Sequence, residues 1–220
     1  SDVYKRQDEY DKYEEGFTVN MPLMLDLTNK KVVVVGGGKI ATRRIKTLLN
    51  YTEHIHVVSP AITNQIAQWV ETQRITYLEK CFEPTDIEEA DMVIAATNHS
   101  EVNEEVRLSV PEHVLFNHAE QSELGNVTFP NVFRRDRLTI SVSTEGASPK
   151  LGQRIINHLE DTYNEEYVTY VQFLYESRQY IKALSIEPSD KHALLEQILS
   201  DTYLDENKQH EFIRWLQSQV

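Results

Sequence analysis

The stretch from Val32 to Arg44 reads VVVVGGGKIATRR, and it determines the fold that we expect for the first half of the chain. Four valines without alternation are typical of a central parallel strand that is covered on both faces. Three glycines follow at once, and the residues after them have the apolar spacing of an amphipathic helix. A glycine-rich turn between a strand and a helix is suited to phosphate binding, because free N–H groups at the helix start can face the anion.

The glycine turn has most of the spacing of a dinucleotide site, G-x-G-x-x-G. Gly36 and Gly38 fill the first two positions, and Ala41 replaces the third glycine. The first glycine permits the tight turn, the second lets backbone approach the pyrophosphate, and a small third residue allows the helix to pack on the strand. An acidic residue about 20 positions on usually binds the adenosine ribose, but the next expected strand ends in Ser59 and Pro60. Ribose recognition would then rest on the Ser59 hydroxyl and on backbone groups, which leaves NAD versus NADP open.

Strands and helices alternate at short intervals through residues 31–109, which predicts an α/β fold with a doubly wound parallel sheet. We expect strands at 31–35, 54–58, 75–78 and 91–97, and helices at 40–49, 61–71 and 100–109.

The pattern changes after about residue 113. Residues 138–143 alternate between apolar and polar side chains, as in a half-exposed strand, and short strands are expected near 114–116 and 127–129. From Leu151 the chain has helical spacing to its end. We therefore expect a Rossmann domain over 21–113, a small β region over 114–149 and a helical domain over 150–220.

Composition limits the class of protein. The 220 residues are 40% hydrophobic and 26% charged, which favours a packed globular core. Residues 1–20 are polar with charges of both signs, and we interpret them as a leader outside the fold. A net charge of −13 opposes nonspecific binding to nucleic acid. The single cysteine, Cys81, favours a reducing cytosol, and no apolar run approaches the roughly 20 residues of a membrane helix.

The chain also contains four motifs in the order GGGKIATRR, AATNHSEVN, FNHAEQSELGNVTFP and STEGASPKLGQRI. Together they resemble precorrin-2 dehydrogenase, the N-terminal module of siroheme synthases, over about residues 21–185, and the free-standing form with a helical tail fits best. The resemblance implies NAD-dependent oxidation of precorrin-2 to sirohydrochlorin in siroheme biosynthesis. It further implies a homodimer with a Rossmann domain, a small dimerisation domain and a helical domain, and with the single cysteine we expect it in the cytoplasm. The cofactor positions that it implies are Gly36, Gly37, Gly38, Lys39, Ile40, Ser59, Pro60, Ala61, Ala96, Thr97 and Asn98.

The catalytic candidates lie in the stretch Asn117-His118-Ala119-Glu120. In bifunctional members of the resembled family, an aspartate in an N-x-x-D stretch is the proposed base and metal-handling group, and Glu120 occupies that position here. The longer side chain displaces the carboxylate, so we expect dehydrogenation to outweigh iron insertion. His118 is a second candidate because imidazole titrates near neutral pH. Two alternatives stay open: both residues are solvated loop residues, or the protein is a bifunctional dehydrogenase and ferrochelatase.

The basic residues after residue 133 are candidates for substrate binding. Ser148 followed by Pro149 predicts a helix start, with serine as the N-cap and proline in the first helical position. Positive side chains near this helix start would help to hold anions, although a simple cap explains the motif equally. The substrate that the resemblance implies is a polycarboxylate. The expected substrate residues are Asn117, Arg134, Arg135, Ser148, Lys150 and Arg154.

Other patterns limit the remaining functions. His54 and His56 place two imidazoles on one strand, but no third ligand accompanies them, so we expect no metal site. An aromatic stripe from Tyr163 to Leu174 predicts core or dimer packing. Two rival classes stay open: another NAD-linked oxidoreductase with the same fold, and a nonenzymatic NAD-sensing domain. The sensor hypothesis leaves the GASPKLGQR motif and the basic cluster at 134–137 without a role.

Overall fold

The computed structural model describes residues 20–219, which form two compact units, one ending at Thr128 and the next beginning at Phe129. The expected leader falls on residues 1–19, outside the described range, except for the exposed Asn20. Among the described helices, none combines the length and apolar character that crossing a bilayer requires.

The first unit is built around a parallel sheet, as predicted, and this sheet has five strands where the sequence predicted four. Its strands are β1 (Val32–Val35), β2 (Ile55–Val58), β3 (Thr76–Leu78), β4 (Met92–Ala95) and β5 (Leu115–His118), in the spatial order β3-β2-β1-β4-β5. The helices between them are α1 (Lys39–Leu48), α2 (Asn64–Glu71) and α3 (Ser100–Ser109).

The centre of this sheet explains the uninterrupted apolar runs in the sequence. Every residue of β1 and β4 is buried. β1 pairs with β2 on one side and with β4 on the other. The strand order therefore reverses at β1, with β2 and β3 on one side and β4 and β5 on the other. In open α/β sheets, ligands bind outside the carboxyl ends of the strands at such a switch point. The loops after β1 and β4 are therefore the expected position of a ligand-binding site.

The strand near residue 115 belongs to this sheet and not to the small β region. β5 pairs in parallel with β4, with Asn117 opposite Ile94. The assignment of residues 114–116 to the small β region was therefore wrong. The strand expected at 127–129 was wrong too, because this segment is irregular.

The segment after β5 instead folds back along the free edge of that strand. The Asn126 side chain accepts a hydrogen bond from the Phe116 N–H at 2.7 Å and donates one to the Val114 carbonyl at 2.9 Å. Gly125 permits this approach, since a Cβ atom there would lie 2.6 Å from the Phe116 carbonyl oxygen. A loop thus satisfies the backbone of an edge strand without adding another strand.

The second unit begins with an antiparallel hairpin of β6 (Asn131–Arg135) and β7 (Leu138–Val142). Phe133 and Ile140 are opposite each other on the face that carries the apolar residues of β7, and Phe133 is buried. Helix α4 (Pro149–Thr162) packs on β6, where the buried Gly152 lies against the Asn131 amide. The alternation at residues 138–143 therefore indicated a half-exposed strand correctly.

The rest of the second unit is helical, as predicted. It comprises α5 (Glu166–Ala183), α6 (Pro188–Gln197) and α7 (Glu206–Gln217). Tyr170 and Phe173 are buried in its core together with Phe212 and Leu216. The predicted core packing of the aromatic stripe is thus confirmed for Tyr170 and Phe173.

Candidate active site

The first glycine of the turn has a conformation that other residues rarely adopt. Gly36 has φ of +119°, in the region that favours glycine. A Cβ atom at this position would overlap the Ala96 carbonyl oxygen and would lie 2.7 Å from the Ala96 carbonyl carbon. The Gly36 N–H also donates to the Val58 carbonyl at 2.9 Å. The turn after β1 is therefore packed against the loop after β4 and bonded to the end of β2.

The second glycine joins the turn to the loop between β2 and α2. The Gly37 carbonyl accepts a hydrogen bond from the Thr63 N–H at 3.0 Å. A Cβ atom on Gly37 would overlap the Ala61 carbonyl oxygen and would approach Ile62 Cγ2 to 2.9 Å. The hydroxyls of Thr42 and Thr63 are 2.8 Å apart, which adds a side-chain link between α1 and the same loop.

Gly38, the last of the three consecutive glycines and the second glycine of the dinucleotide motif, is exposed and faces open space. No atom lies within 4 Å of a Cβ atom built on Gly38, which is the N-cap of α1. Within residues 20–219, the N–H groups of Gly38, Lys39 and Ile40 donate to no acceptor. Ala41 is fully buried, as the small third residue of a dinucleotide motif should be. Free N–H groups at the positive end of a helix, beside an open space, fit the pyrophosphate of a dinucleotide.

After β2, the side-chain hydroxyl expected to bind the adenosine ribose is already hydrogen-bonded within its own loop, which leaves backbone groups for this role. Ser59 is buried, and its hydroxyl donates to the Ala61 carbonyl at 2.8 Å. The Tyr77 hydroxyl donates to the Ser59 carbonyl at 3.0 Å. Pro60 and Ala61 are exposed. The hydroxyl that we expected to face the ribose thus has its proton engaged inside the loop.

The loop after β4 is held by a residue that the sequence reasoning did not select. Ala96 is buried, Thr97 half-buried and Asn98 exposed. The Asn103 side chain, 1% exposed on α3, accepts from the Thr97 N–H at 3.1 Å and donates to the Thr97 carbonyl at 3.1 Å. The available signal was its position as the last residue of the AATNHSEVN motif.

At the end of β5 the catalytic candidates differ in exposure. His118 is 4% exposed, and its Nδ1 accepts a hydrogen bond from the Gln121 N–H at 3.0 Å. A neutral His118 with that bond carries its proton on Nε2. The interpretation of His118 as a solvated loop residue was therefore wrong, whereas Glu120 is exposed.

The same region of the first unit also contains a buried amide, Asn117, and an ion pair on α3. Asn117 is 1% exposed, and its Nδ2 donates to the Val127 carbonyl at 2.9 Å, while its buried Oδ1 has no partner among the described residues. On α3, Arg107 donates two bonds of 2.7 Å to Glu104. These bonds hold the pKa of Glu104 below its usual range, with a smaller contribution from His118.

In the second unit, the predicted helix start is confirmed. The Ser148 hydroxyl accepts from the Leu151 N–H at 3.2 Å, and Pro149 is the first residue of α4. Lys150 and Arg154 are exposed on this helix. Their side chains form no hydrogen bond or ion pair within the described part of the chain, so both charges are available to an anion.

The basic cluster at 134–137 is largely engaged in local structure. Arg134 is exposed, and its Nε donates to the Asp136 carbonyl at 3.0 Å. Arg135 is half-buried, with its guanidinium 5.1 Å from the centre of the Phe133 ring and 3.4 Å from Glu165. Arg137 lies 3.7 Å over the Tyr175 ring. The Arg134 side chain is therefore more accessible than that of Arg135, which packs on Phe133 and pairs with Glu165.

Metal-binding groups are sparse in the described residues. His54 is exposed, and His56 Nδ1 lies 2.5 Å from the Thr76 hydroxyl. Burial lowers the pKa of His56, with smaller contributions from Lys31 and His54. Across residues 20–219, no group of three or more His, Cys, Asp or Glu side chains is placed to hold a metal ion.

Comparisons with known proteins cover nearly all of the described chain. Residues 23–131 match a family model for NAD(P) binding, residues 135–162 the central part of sirohaem biosynthesis proteins, and residues 167–212 the SirC C-terminal domain. The precorrin-2 dehydrogenase of Priestia megaterium is 39% identical over 196 residues, which are 89% of this chain and 97% of that protein. That of Bacillus subtilis (strain 168) is 38% identical over 159 residues, 72% of this chain and 98% of that protein. The solved structure of SirC, a precorrin-2 dehydrogenase, has a TM-score of 0.79 and 38% identity, covering 90% of this chain and 100% of that one.

Proposed function

The chain belongs to the precorrin-2 dehydrogenase family of siroheme biosynthesis, and from this membership we propose that it oxidises precorrin-2 to sirohydrochlorin with NAD. The family resemblance, the fold and the NAD cofactor expected from the sequence are confirmed by these relatives and by the NAD(P)-binding match. The observation that supports this reaction most strongly is the similarity to a precorrin-2 dehydrogenase over 89% of this chain. The matched region covers 97% of that relative.

The cofactor would be held by the three loops at the switch point of the sheet. The free N–H groups of Gly38, Lys39 and Ile40 would bind the pyrophosphate. Residues 59–61 would border the adenosine ribose, and residues 96–98 the other half of the cofactor. Bound NAD supplies a hydride acceptor. The open space above Gly38 supports this assignment, because a phosphate needs close approach to backbone there.

The proton that leaves with each hydride needs an acceptor, and Glu120 is the better candidate. Glu120 is an exposed carboxylate at the end of β5. His118 Nδ1 already accepts the Gln121 N–H, so a neutral His118 can offer the substrate only a donor at Nε2. We assign Glu120 the role of base and His118 that of a hydrogen-bond donor.

Substrate carboxylates would be bound by the start of α4. Ser148 caps this helix, and Lys150 and Arg154 are exposed on it without partners in the described chain. Arg134, exposed on β6, is a further candidate. Local charges matter here because a net charge of −13 repels a polyanion at long range.

We further propose that dehydrogenation proceeds without iron insertion, so that a separate chelatase acts on the product. The replacement of aspartate by Glu120 in the N-x-x-D stretch supports this view. Consumption of ferrous ion at a rate comparable to NADH formation, with no chelatase added, would instead establish the bifunctional alternative.

We propose that the protein acts as a homodimer in the cytoplasm, with the hairpin and α4 as the dimerisation region. Leu151 and Ile155 are 48% and 36% exposed and lie one turn apart on α4. Such a stripe on an amphipathic helix suits contact with a second copy. Cys81 is a free exposed thiol, which suits a reducing compartment.

The decisive experiment combines precorrin-2 and NAD with the purified protein and records NADH formation and the tetrapyrrole spectrum. We expect stoichiometric NADH and sirohydrochlorin.

In parallel, Gly38→Asp places a negative side chain in the space assigned to the pyrophosphate and should abolish NAD binding. Leu108→Asp is the matched control, because it adds the same charge at a residue of α3 that is 70% exposed and lies outside the three loops. Tight NAD binding by folded Gly38→Asp would show that the cofactor lies elsewhere, and NAD binding without turnover would favour the sensor alternative.

A further inference from the structure

The loop that follows β4 is bonded to a single buried amide. Asn103 is the fourth residue of α3 and is 1% exposed. Its Oδ1 accepts the Thr97 N–H at 3.1 Å and lies 2.8 Å from the Thr97 hydroxyl, and its Nδ2 donates to the Thr97 carbonyl at 3.1 Å. One side chain therefore satisfies both backbone groups of Thr97.

Thr97 in turn forms one wall of the glycine turn. A Cβ atom on Gly36 would lie 3.0 Å from the Thr97 N and 2.7 Å from the Ala96 carbonyl carbon. The same loop is tied to β1 through the Ala96 N–H, which donates to the Val35 carbonyl at 2.8 Å. The position of Thr97 thus sets how closely the loop after β4 approaches the turn that we assign to the pyrophosphate.

We propose that Asn103 is a positioning residue for NAD binding, which rests on the assignment of the cofactor to this turn. It acts through the backbone of residues 96–98 rather than by touching the cofactor. An amide suits this role because it combines an acceptor and a donor at one site. No hydrophobic residue can replace both bonds, and an aspartate keeps only the acceptor.

The test compares Asn103→Leu and Asn103→Asp with the wild-type protein. Loss of all bonds to Thr97 should raise the Kd and KM for NAD about tenfold in Asn103→Leu, while kcat at saturating NAD changes less than about twofold. Asn103→Asp has nearly the same shape but places an acceptor oxygen where Nδ2 donated to the Thr97 carbonyl, so it should also raise the Kd and KM for NAD several-fold. If Asn103→Leu does not fold, the Kd and KM for NAD of Asn103→Asp alone test the proposal.

Thr52→Val is the matched control, because Thr52 is another buried polar residue of the same unit. It is 5% exposed and precedes β2, at the opposite end of the sheet from the glycine turn. Its hydroxyl accepts the His54 N–H at 3.1 Å. A lower melting temperature with unchanged KM for NAD is expected of this variant. An equal rise in KM would mean that any loss of stability weakens NAD binding, and the proposal would be wrong.

Two further outcomes separate this proposal from the proposed function. Wild-type affinity for NAD in folded Asn103→Asp would overturn the role of Asn103, provided that Gly38→Asp still abolishes binding. Tight binding in Gly38→Asp would overturn the cofactor assignment itself and the role of Asn103 with it. A fall in kcat with unchanged KM would also contradict a positioning role for the cofactor.

Discussion

Ala96 lies directly against Gly36, so that a Cβ atom at the glycine would stand 2.7 Å from the Ala96 carbonyl carbon. The two residues follow neighbouring central strands, β1 and β4, whose pairing is continuous from Val32 and Met92 to Val35 and Ala95. The loops that leave these strands are therefore in contact from their first residue. A change in either loop must shift the other.

Gly36→Ala should destabilise the first unit. The substitution combines an overlap with the Ala96 carbonyl and a φ of +119° that alanine rarely adopts. We expect a loss of about 2 kcal/mol or more in the free energy of unfolding, measured by urea denaturation.

Gly38→Ala is the control for this measurement, since its Cβ atom would enter open space and φ is −84°. Its stability should stay within about 0.5 kcal/mol of wild type. Equal losses in the two variants would contradict a specific constraint at Gly36.

The first half of the fold could be predicted because its signals are local. The valines of β1 are all buried, and the first glycine after them, Gly36, has the positive φ that favours glycine in a tight turn. The membership of β5 in the sheet is not local information. Its sequence, LFNH, is short, and its edge is satisfied by the Asn126 side chain rather than by another strand.

The site could be predicted in its backbone and only partly in its side chains. Burial of His118 depends on packing that no spacing rule contains. Arg135 and Arg137 looked available in sequence, yet Glu165, the N-cap of α5, and Tyr175 within α5 engage them. Arg154 is exposed, and its side chain forms no hydrogen bond or ion pair with the residues that the structure describes, so its role in substrate binding stays a prediction.

Asp91→Asn should remove an acid-sensitive part of the stability. Asp91 accepts from Lys30 at 2.8 Å and from the Lys31 N–H at 2.9 Å, and these bonds, the Lys30 side chain first, lower its pKa in the folded protein. The unfolded chain therefore takes up the proton first as pH falls. The contribution is complete above the unfolded-state pKa and is lost as pH falls through the folded-state pKa.

Urea denaturation of wild type and Asp91→Asn between neutral and strongly acidic pH tests this expectation. The difference in the free energy of unfolding should be constant near neutrality and should shrink in acid. Glu89→Gln removes an exposed carboxylate that is paired with Lys31 at 3.1 Å, and it should change little because exposed ion pairs are weak. A difference that is independent of pH would contradict the assigned role of the Asp91 charge.

Leu151→Glu with Ile155→Glu should dissociate the proposed homodimer. Both side chains are exposed on one face of α4, while Gly152 and Ile156 face inward, so folding should survive. Light scattering coupled to size exclusion should show the mass of a dimer for wild type and of a monomer for the double variant. The variant Leu108→Glu, 70% exposed on α3, is the control and should stay dimeric. A dimeric double variant would place the interface elsewhere.

Arg154→Gln should weaken substrate binding without affecting the cofactor. Arg154 is exposed near the capped start of α4 and has no partner within the described chain, so its charge is available to a substrate carboxylate. Loss of one charge-assisted hydrogen bond should raise the KM for precorrin-2 about tenfold. The effect should shrink as salt rises, and the Kd for NAD should not change.

Arg135→Gln should behave differently from Arg154→Gln. Because the Arg135 guanidinium contacts Phe133 and Glu165, its loss should lower the free energy of unfolding by about 1 kcal/mol and change KM little. Arg178→Gln, an exposed residue of α5, changes the net charge by the same amount and controls for long-range effects. Steady-state kinetics at two salt concentrations separate the three variants. If Arg154→Gln and Arg178→Gln raise KM equally, the effect reflects net charge alone, and the substrate carboxylates are bound elsewhere.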